Sequence, residues 1–302
     1  MNFYTYMWLR EDGSPFYIGK GCGKRGFESR GHSVPCPKDS DHIIVQEWPS
    51  MKVLVSVTSW VSGALHGEHQ AVRDVCMSQY TGQQIEHKFF VGDGTPTGED
   101  ETVLRKNWSG NVWEVKAHTT ALPNQHIDYS PLPDEVVLHV PDDYIHLSYK
   151  LREQCRWAVA RNFDYAFIAA GDTYIDMPRL LASDFAAHEY TGYWGHNYIN
   201  PDAGCIYAGG GRGFWLNSRS LSIISNAVIS HWAADLWIGK VLKESGILMY
   251  DDCRYQDYPR VPLKENDFIT SHLFGEPVGR YDPRRMYEVA RASKRSCHNG
   301  TE

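Results

Sequence analysis

The chain lacks the features that mark several large protein classes. No run of residues is apolar and long enough to span a membrane. The first residues also lack the basic, apolar and small-residue regions of a secretory signal. The expected setting is therefore cytoplasmic, with no membrane partner. Seven cysteines, odd in number and widely scattered, fit a reducing compartment better than a disulfide framework. The sequons at Asn107 and Asn299 then carry no meaning. A basic excess is missing too: 30 Lys and Arg face 37 Asp and Glu, for a formal charge of −7. The first fifty residues are balanced, so the whole acidic excess lies beyond them. That argues against a broad, nonspecific nucleic-acid surface. Local basic grooves built from Arg254, Arg260 and Lys264, or from Arg280, Arg284 and Arg285, stay open. Cys22, His32, Cys36 and His42 share one short stretch, but the tight Cys-x₂-Cys pairing of a structural zinc site is absent.

What is present points to an α/β protein. A chain of 302 residues with 42% hydrophobic content can bury one α/β core and a small appendage. Met51–Thr58 is apolar and β-branched, as a buried parallel strand should be. Residues 69–80 read as a helix, and Ile85–Val91, Glu135–His139 and Tyr165–Ala170 as further strands. Strands alternating with helices predict a sheet covered on both faces. Thr58 and Ser59 close the first of these strands with hydroxyls suited to a nucleotide. Asp93 closes the second, either for a base or ribose or for the turn itself. The Pro- and His-rich segment 117–133 reads as a long loop, part of an acceptor mouth.

Phe167–Asp176 is the most informative stretch. An apolar strand runs into a Gly-loosened turn with Asp172 waiting at its end. Ligands in open α/β sheets bind beyond the carboxyl ends of strands. A carboxylate there suits a hard divalent cation holding a phosphorylated ligand, or else caps the helix that starts near Pro178. Further on, Gly209-Gly210-Gly211 allows close backbone approach to a ligand, or is an ordinary Gly-rich turn. Asp235 opens an amphipathic helix, either as a dipole or capping carboxylate or as a base facing the site. His272 stands alone in a short apolar run, where such a residue is usually structural.

Taken in order, these blocks resemble the inverting β1,3-galactosyltransferase and fringe family of GT-A glycosyltransferases. The matching blocks are Asp142-Asp143-Tyr144 through Lys150 with Trp157-Ala158, Ile168 through Ile175, the three glycines, Ala234 through Gly239, and His272. The resemblance spans residues 51 to about 285. It implies a Rossmann-like GT-A domain over 51–292 with a tail at 293–302. It implies that Asp172 and His272 ligate Mn²⁺ or Mg²⁺, and that Asp235 is the general base acting on an acceptor hydroxyl. The donor would be a UDP-sugar, held by Thr58, Ser59, Asp93, Lys150 and Thr173. Gly209, Gly210, Gly211 and Trp237 would face the acceptor. Ala170, Gly171 and Ala234 stand where the family has acids, which leaves open metal affinity, donor identity and a non-catalytic sugar-nucleotide module.

Residues 1–50 read separately, as two strands around an Asp12-Gly13 turn. Tyr6, Tyr17, Arg25 and His32 resemble the start of a GIY-YIG nuclease, but the resemblance stops near Glu47, before the helix that should supply a metal-binding carboxylate. The segment is expected to be a truncated remnant, with the rival reading an endonuclease carrying a C-terminal target-recognition domain. That setting suggests a phage-type origin and, as acceptor, a hydroxymethylated DNA base flipped into the pocket. A glycan or a protein is the other acceptor class.

Overall fold

The computed structural model describes residues 3–9, 15–22, 43–47, 51–65, 67–80, 85–94, 129–144, 146–194, 205–257, 268–273 and 283–298. It divides into two units: Met1–Lys52 with Gly82–Ile85, and Val53–Thr81 with Glu86–Glu302.

In the first unit, β1 (Phe3–Leu9), β2 (Pro15–Cys22) and β3 (Ile43–Glu47) form an antiparallel sheet in the order β2-β1-β3. The expected hairpin is there, with Tyr6 opposite Gly19 and Tyr17 opposite Trp8. Arg25, His32, Cys36 and His42 lie outside the described residues, as do Arg260, Lys264, Arg280, Asn107, Asn299 and nearly all of the 117–133 segment.

The second unit is built on a seven-stranded sheet. Its strands are β4 (Val53–Thr58), β5 (Ile85–Gly92), β6 (Glu135–Leu138), β7 (Tyr165–Ala170), β9 (Tyr190–Gly192), β10 (Phe214–Asn217) and β11 (Tyr250–Asp251), in the order β11-β9-β10-β7-β4-β5-β6. β4 runs parallel to β7 and β5 parallel to β6, while β10 is antiparallel to β7 and β9. The expected α/β class is correct. Every residue of β4 is buried, Ser56 and Thr58 along with its apolar side chains.

The helices are α1 (Val61–Leu65), α2 (Glu68–Val75), α3 (Leu147–Ala160), α4 (Met177–Ala182), α5 (Ser218–Asn226), α6 (Ala234–Glu244) and α7 (Arg284–His298). The predicted helix over 69–80 ends early, at Val75, and Met77–Gln79 continues as one 3₁₀ turn. α7 carries helix to His298, past Ala292, where a mobile tail is expected from sequence. One core joins Leu54, Phe90, Tyr149, Ile168, Leu216 and Trp237 between sheet and helices.

A second, three-stranded sheet positions the site. β8 (Thr173–Ile175), β12 (Tyr255–Asp257) and β13 (Thr270–His272) pair in the order β12-β13-β8. β8 leaves the main sheet two residues after β7 ends, so the turn at Gly171-Asp172 joins the two sheets.

Candidate functional site

Strand register brings Asp172 and His272 together. β13 runs antiparallel to β8 with His272 opposite Thr173, one residue beyond Asp172. The Leu273 N–H donates to the Asp172 carbonyl at 2.9 Å, fixing that end of the pairing. His272 Nε2 then lies 3.2 Å from Asp172 Oδ2, and the two side chains are 22% and 19% exposed. Burial would push the Asp172 carboxyl up, but the adjacent His272 ring prevails and holds it below its usual range. The cap of α4 is Asp176, which accepts from the Arg179 N–H at 3.1 Å, so the capping alternative for Asp172 does not apply.

The three glycines form the wall beside this pair. A Cβ on Gly211 would run into the His272 ring, so the absence of a side chain there lets the imidazole seat. The next-door Gly210 N–H points to Asp235 Oδ2 at 3.4 Å. Asp235 also accepts from its following N–H, that of Leu236, at 2.8 Å. Two consecutive glycines thus touch His272 on one side and Asp235 on the other. Burial raises the Asp235 carboxyl, with backbone N–H groups and Arg212 opposing. Tyr144 completes the surroundings. Desolvation, with the charges of Asp235 and Asp172, pushes its hydroxyl up to about 12, and its ring leans on Trp232 with centroids 5.9 Å apart.

Several residues expected to meet ligand instead hold the chain. The Lys150 side chain is fully buried, and Nζ donates to the Ser59 carbonyl at 2.7 Å and Asp142 Oδ1 at 2.6 Å. It also lies 3.8 Å from the Trp60 ring centroid. Asp142 further accepts from the Val61 and Gly92 N–H groups, both at 2.8 Å. Lys150 therefore clamps the loop after β4 to the loop after β6, whose Asp142 also holds the end of β5. Thr58 donates to Gln154 Oε1 at 3.1 Å. Thr173 is wholly buried and donates to the Gly211 carbonyl at 2.7 Å, steadying the glycine turn. Trp237 is completely buried in the core and donates from Nε1 to the Val228 carbonyl at 2.9 Å, so no acceptor can reach it. Burial of its large apolar ring outweighs any role at the mouth.

Ser59 differs. It is 1% exposed, and its Oγ has no hydrogen-bond partner among the described residues. Asp93, at the end of β5, lies 2.6 Å from His139 Nδ1 and keeps 26% of its side chain exposed. Arg254 forms an ion pair with Asp252 at 2.6 Å, which occupies one member of the basic groove expected there. Sequence reasoning missed Tyr144, Arg212 and Glu68 as site neighbours. Arg212 follows directly on the three glycines, which was the available signal.

No family model and no curated protein matches the chain. Among solved structures it is similar to an active-site mutant of LgtC, at TM-score 0.41 and 12% identity over 80% of this chain and 95% of that one. Galactosyltransferase LgtC with donor and acceptor sugar analogs gives TM-score 0.41 and 13% identity over 80% and 95%. The apo-form glycosyltransferase GlyE of Streptococcus pneumoniae TIGR4 gives 0.41 and 8% over 84% and 65%. These likenesses are distant.

Proposed function

We propose that the chain is a metal-dependent glycosyltransferase that moves a sugar from a nucleoside diphosphate sugar, UDP by preference, to an acceptor hydroxyl with inversion. One observation carries the reading. Asp172, in the turn before β8, and His272, on β13, meet at 3.2 Å beside a glycine turn whose neighbouring glycine faces Asp235.

The donor set fits the cation. A carboxylate and an imidazole side by side suit a borderline cation such as Mn²⁺ better than the harder Mg²⁺. Among the described residues no group of three or more His, Cys, Asp or Glu side chains is arranged around an ion. Asp172 and His272 would hold it, with the diphosphate and water filling its remaining positions. Bound there, the cation would neutralise charge growing on the leaving diphosphate.

The chain's own residues do the rest. Asp235 takes the proton from the acceptor oxygen as it attacks the anomeric carbon. Its raised affinity for protons makes it a stronger base than an ordinary carboxylate. The Gly210 and Leu236 N–H groups hold the carboxylate in place. The Tyr144 hydroxyl stays protonated, and so can donate a hydrogen bond beside both acids. The acidic balance of the chain favours an uncharged glycan-type acceptor over a duplex polyanion.

The test is UDP release from a panel of UDP-sugars with Mn²⁺, with glycan acceptors or with hydroxymethylcytosine-containing DNA. Acceptor-stimulated release with a sugar-sized mass gain on the acceptor is the expected result. Stimulation by DNA alone would replace the glycan reading, and no release with any donor would remove the transferase reading.

A further inference from the structure

The glycine turn carries a charge that the reaction above does not use. Gly210–Arg212 form one 3₁₀ turn, closed by the Arg212 N–H donating to the Gly209 carbonyl at 3.0 Å. The Arg212 side chain is 9% exposed and folds back over Gly209, where a Cβ would lie 3.3 Å from Nη1. Nη1 donates to the Trp194 carbonyl at 3.0 Å and points to that of Tyr193 at 3.5 Å. The guanidinium also lies 5.1 Å from the Tyr193 ring centroid. From the other side, Thr270 Oγ1 donates to the Arg212 carbonyl at 2.6 Å. One residue thus ties the turn to β13 through its backbone and to the segment after β9 through its side chain.

Asp235 meets the same turn. The Gly210 N–H points to its carboxylate at 3.4 Å, and a Cβ on Gly210 would lie 3.8 Å from Asp235 Cβ. Asp235 is half-buried, and burial raises its affinity for protons, with Arg212 among the groups opposing. Withdrawing a cation or a carboxylate from water costs free energy, which their proximity offsets. A base must also be ionised before the acceptor arrives.

We infer that Arg212 is a positioning residue for the base, fastening the Gly210 N–H against the Asp235 carboxylate and holding a positive charge across the turn from it. The inference rests on the transferase reading above and adds a residue to it. Without that charge, burial would keep more of Asp235 protonated, and therefore idle, at any pH on the acid limb. Among the described residues, the other titratable groups that sense Asp235 are the hydroxyls of Tyr144, of Tyr190 on β9, and of Tyr207. Tyr207 packs on α6 where a Cβ at Gly239 would collide with it. Burial, with the Asp235 charge, pushes all three upward, so they stay protonated where a carboxylate titrates.

The experiment is the pH profile of UDP release from the most active UDP-sugar of the panel above, with its acceptor and Mn²⁺. It compares the unaltered chain with Arg212→Lys, Arg212→Gln and Arg212→Met. Gln keeps hydrogen-bond donors and Met keeps bulk, so either one, once its urea midpoint shows it folded, reads the loss of charge. In both neutral variants the acid limb should move to higher pH. Transfer on the limb should fall roughly tenfold, the low end for an opposite charge, and recover towards the plateau as pH rises. Arg212→Lys should hold the limb in place. A plateau lowered at every pH with the limb unmoved would make Arg212 merely structural and leave the base reading standing. A limb moved as far by Lys as by Gln would remove the role of the charge. If the unaltered chain releases no UDP at any pH, the transferase reading fails and this inference fails with it.

Discussion

Two ion pairs sit at the carboxyl ends of neighbouring strands, and they do different things. In the first, the Lys150 ammonium is fully buried and bonded to Ser59 and Asp142, and Asp142 is itself filled by two backbone N–H groups. Burial pulls the Lys150 pKa down, with Asp142 opposing. In the second, Asp172 and His272 meet at 3.2 Å, and each still reaches solvent. Placement at a strand end is common to both. What separates a strut from a binding site is whether the polar atoms retain bonding capacity and access.

The sharpest way to break this contrast is Lys150→Met. Removing one partner of a buried pair should cost about 3–5 kcal/mol of stability, read from urea denaturation. A variant of normal stability that has lost UDP binding would turn Lys150 back into a donor ligand. Asp172→Asn should do the opposite, abolishing Mn²⁺-dependent UDP binding while the urea midpoint moves little. Asp235→Asn should lower transfer by about 10²–10⁴-fold, the usual weight of a general base, with UDP affinity unchanged. Because burial raises the Asp235 carboxyl, transfer should fall on acidification at a pH above the ordinary carboxylate range. An acid limb insensitive to Asp235→Glu would assign the limb to another group.

Gly211→Ala probes the wall between the two acids. Its Cβ would displace the His272 ring, so metal affinity should drop while the Asp235 limb stays where it is. The smallest effect concerns a network built on Glu135. Glu135 is bonded to His69 at 2.7 Å, Tyr129 at 2.6 Å and Arg73 at 2.7 Å. Burial would raise its pKa, but these partners hold it down near about 2, against an ordinary value of 4.5. Its contribution to stability is present above the unfolded value and is lost as pH falls from there towards 2. Glu135→Gln should flatten the acid side of a stability–pH curve, and an unchanged curve would mean the unfolded chain holds Glu135 equally well.

The main strands were legible because an apolar β-branched run reports burial directly, as in β4 and β7. The candidate site was legible only in part. Asp172, His272 and the glycines could be named, but their meeting depends on the pairing of β13 with β8, which no local pattern in Thr270–His272 announces. Thr58, Lys150, Thr173 and Trp237 all bond within the chain, which their residue types alone do not reveal. A residue type shows what a side chain can bond to, whereas only the fold shows what it has already bonded to.

The short β13 strand carries one further consequence. His272 joins Asp172 only through a three-residue strand near the end of the chain. During synthesis the acid emerges well before the ring that completes it. A nascent chain halted between Asp251 and His272 would contain every strand of the large sheet and still lack the imidazole of the proposed metal site. On the proposed reading, ligand stabilises only a chain that has already folded through β13.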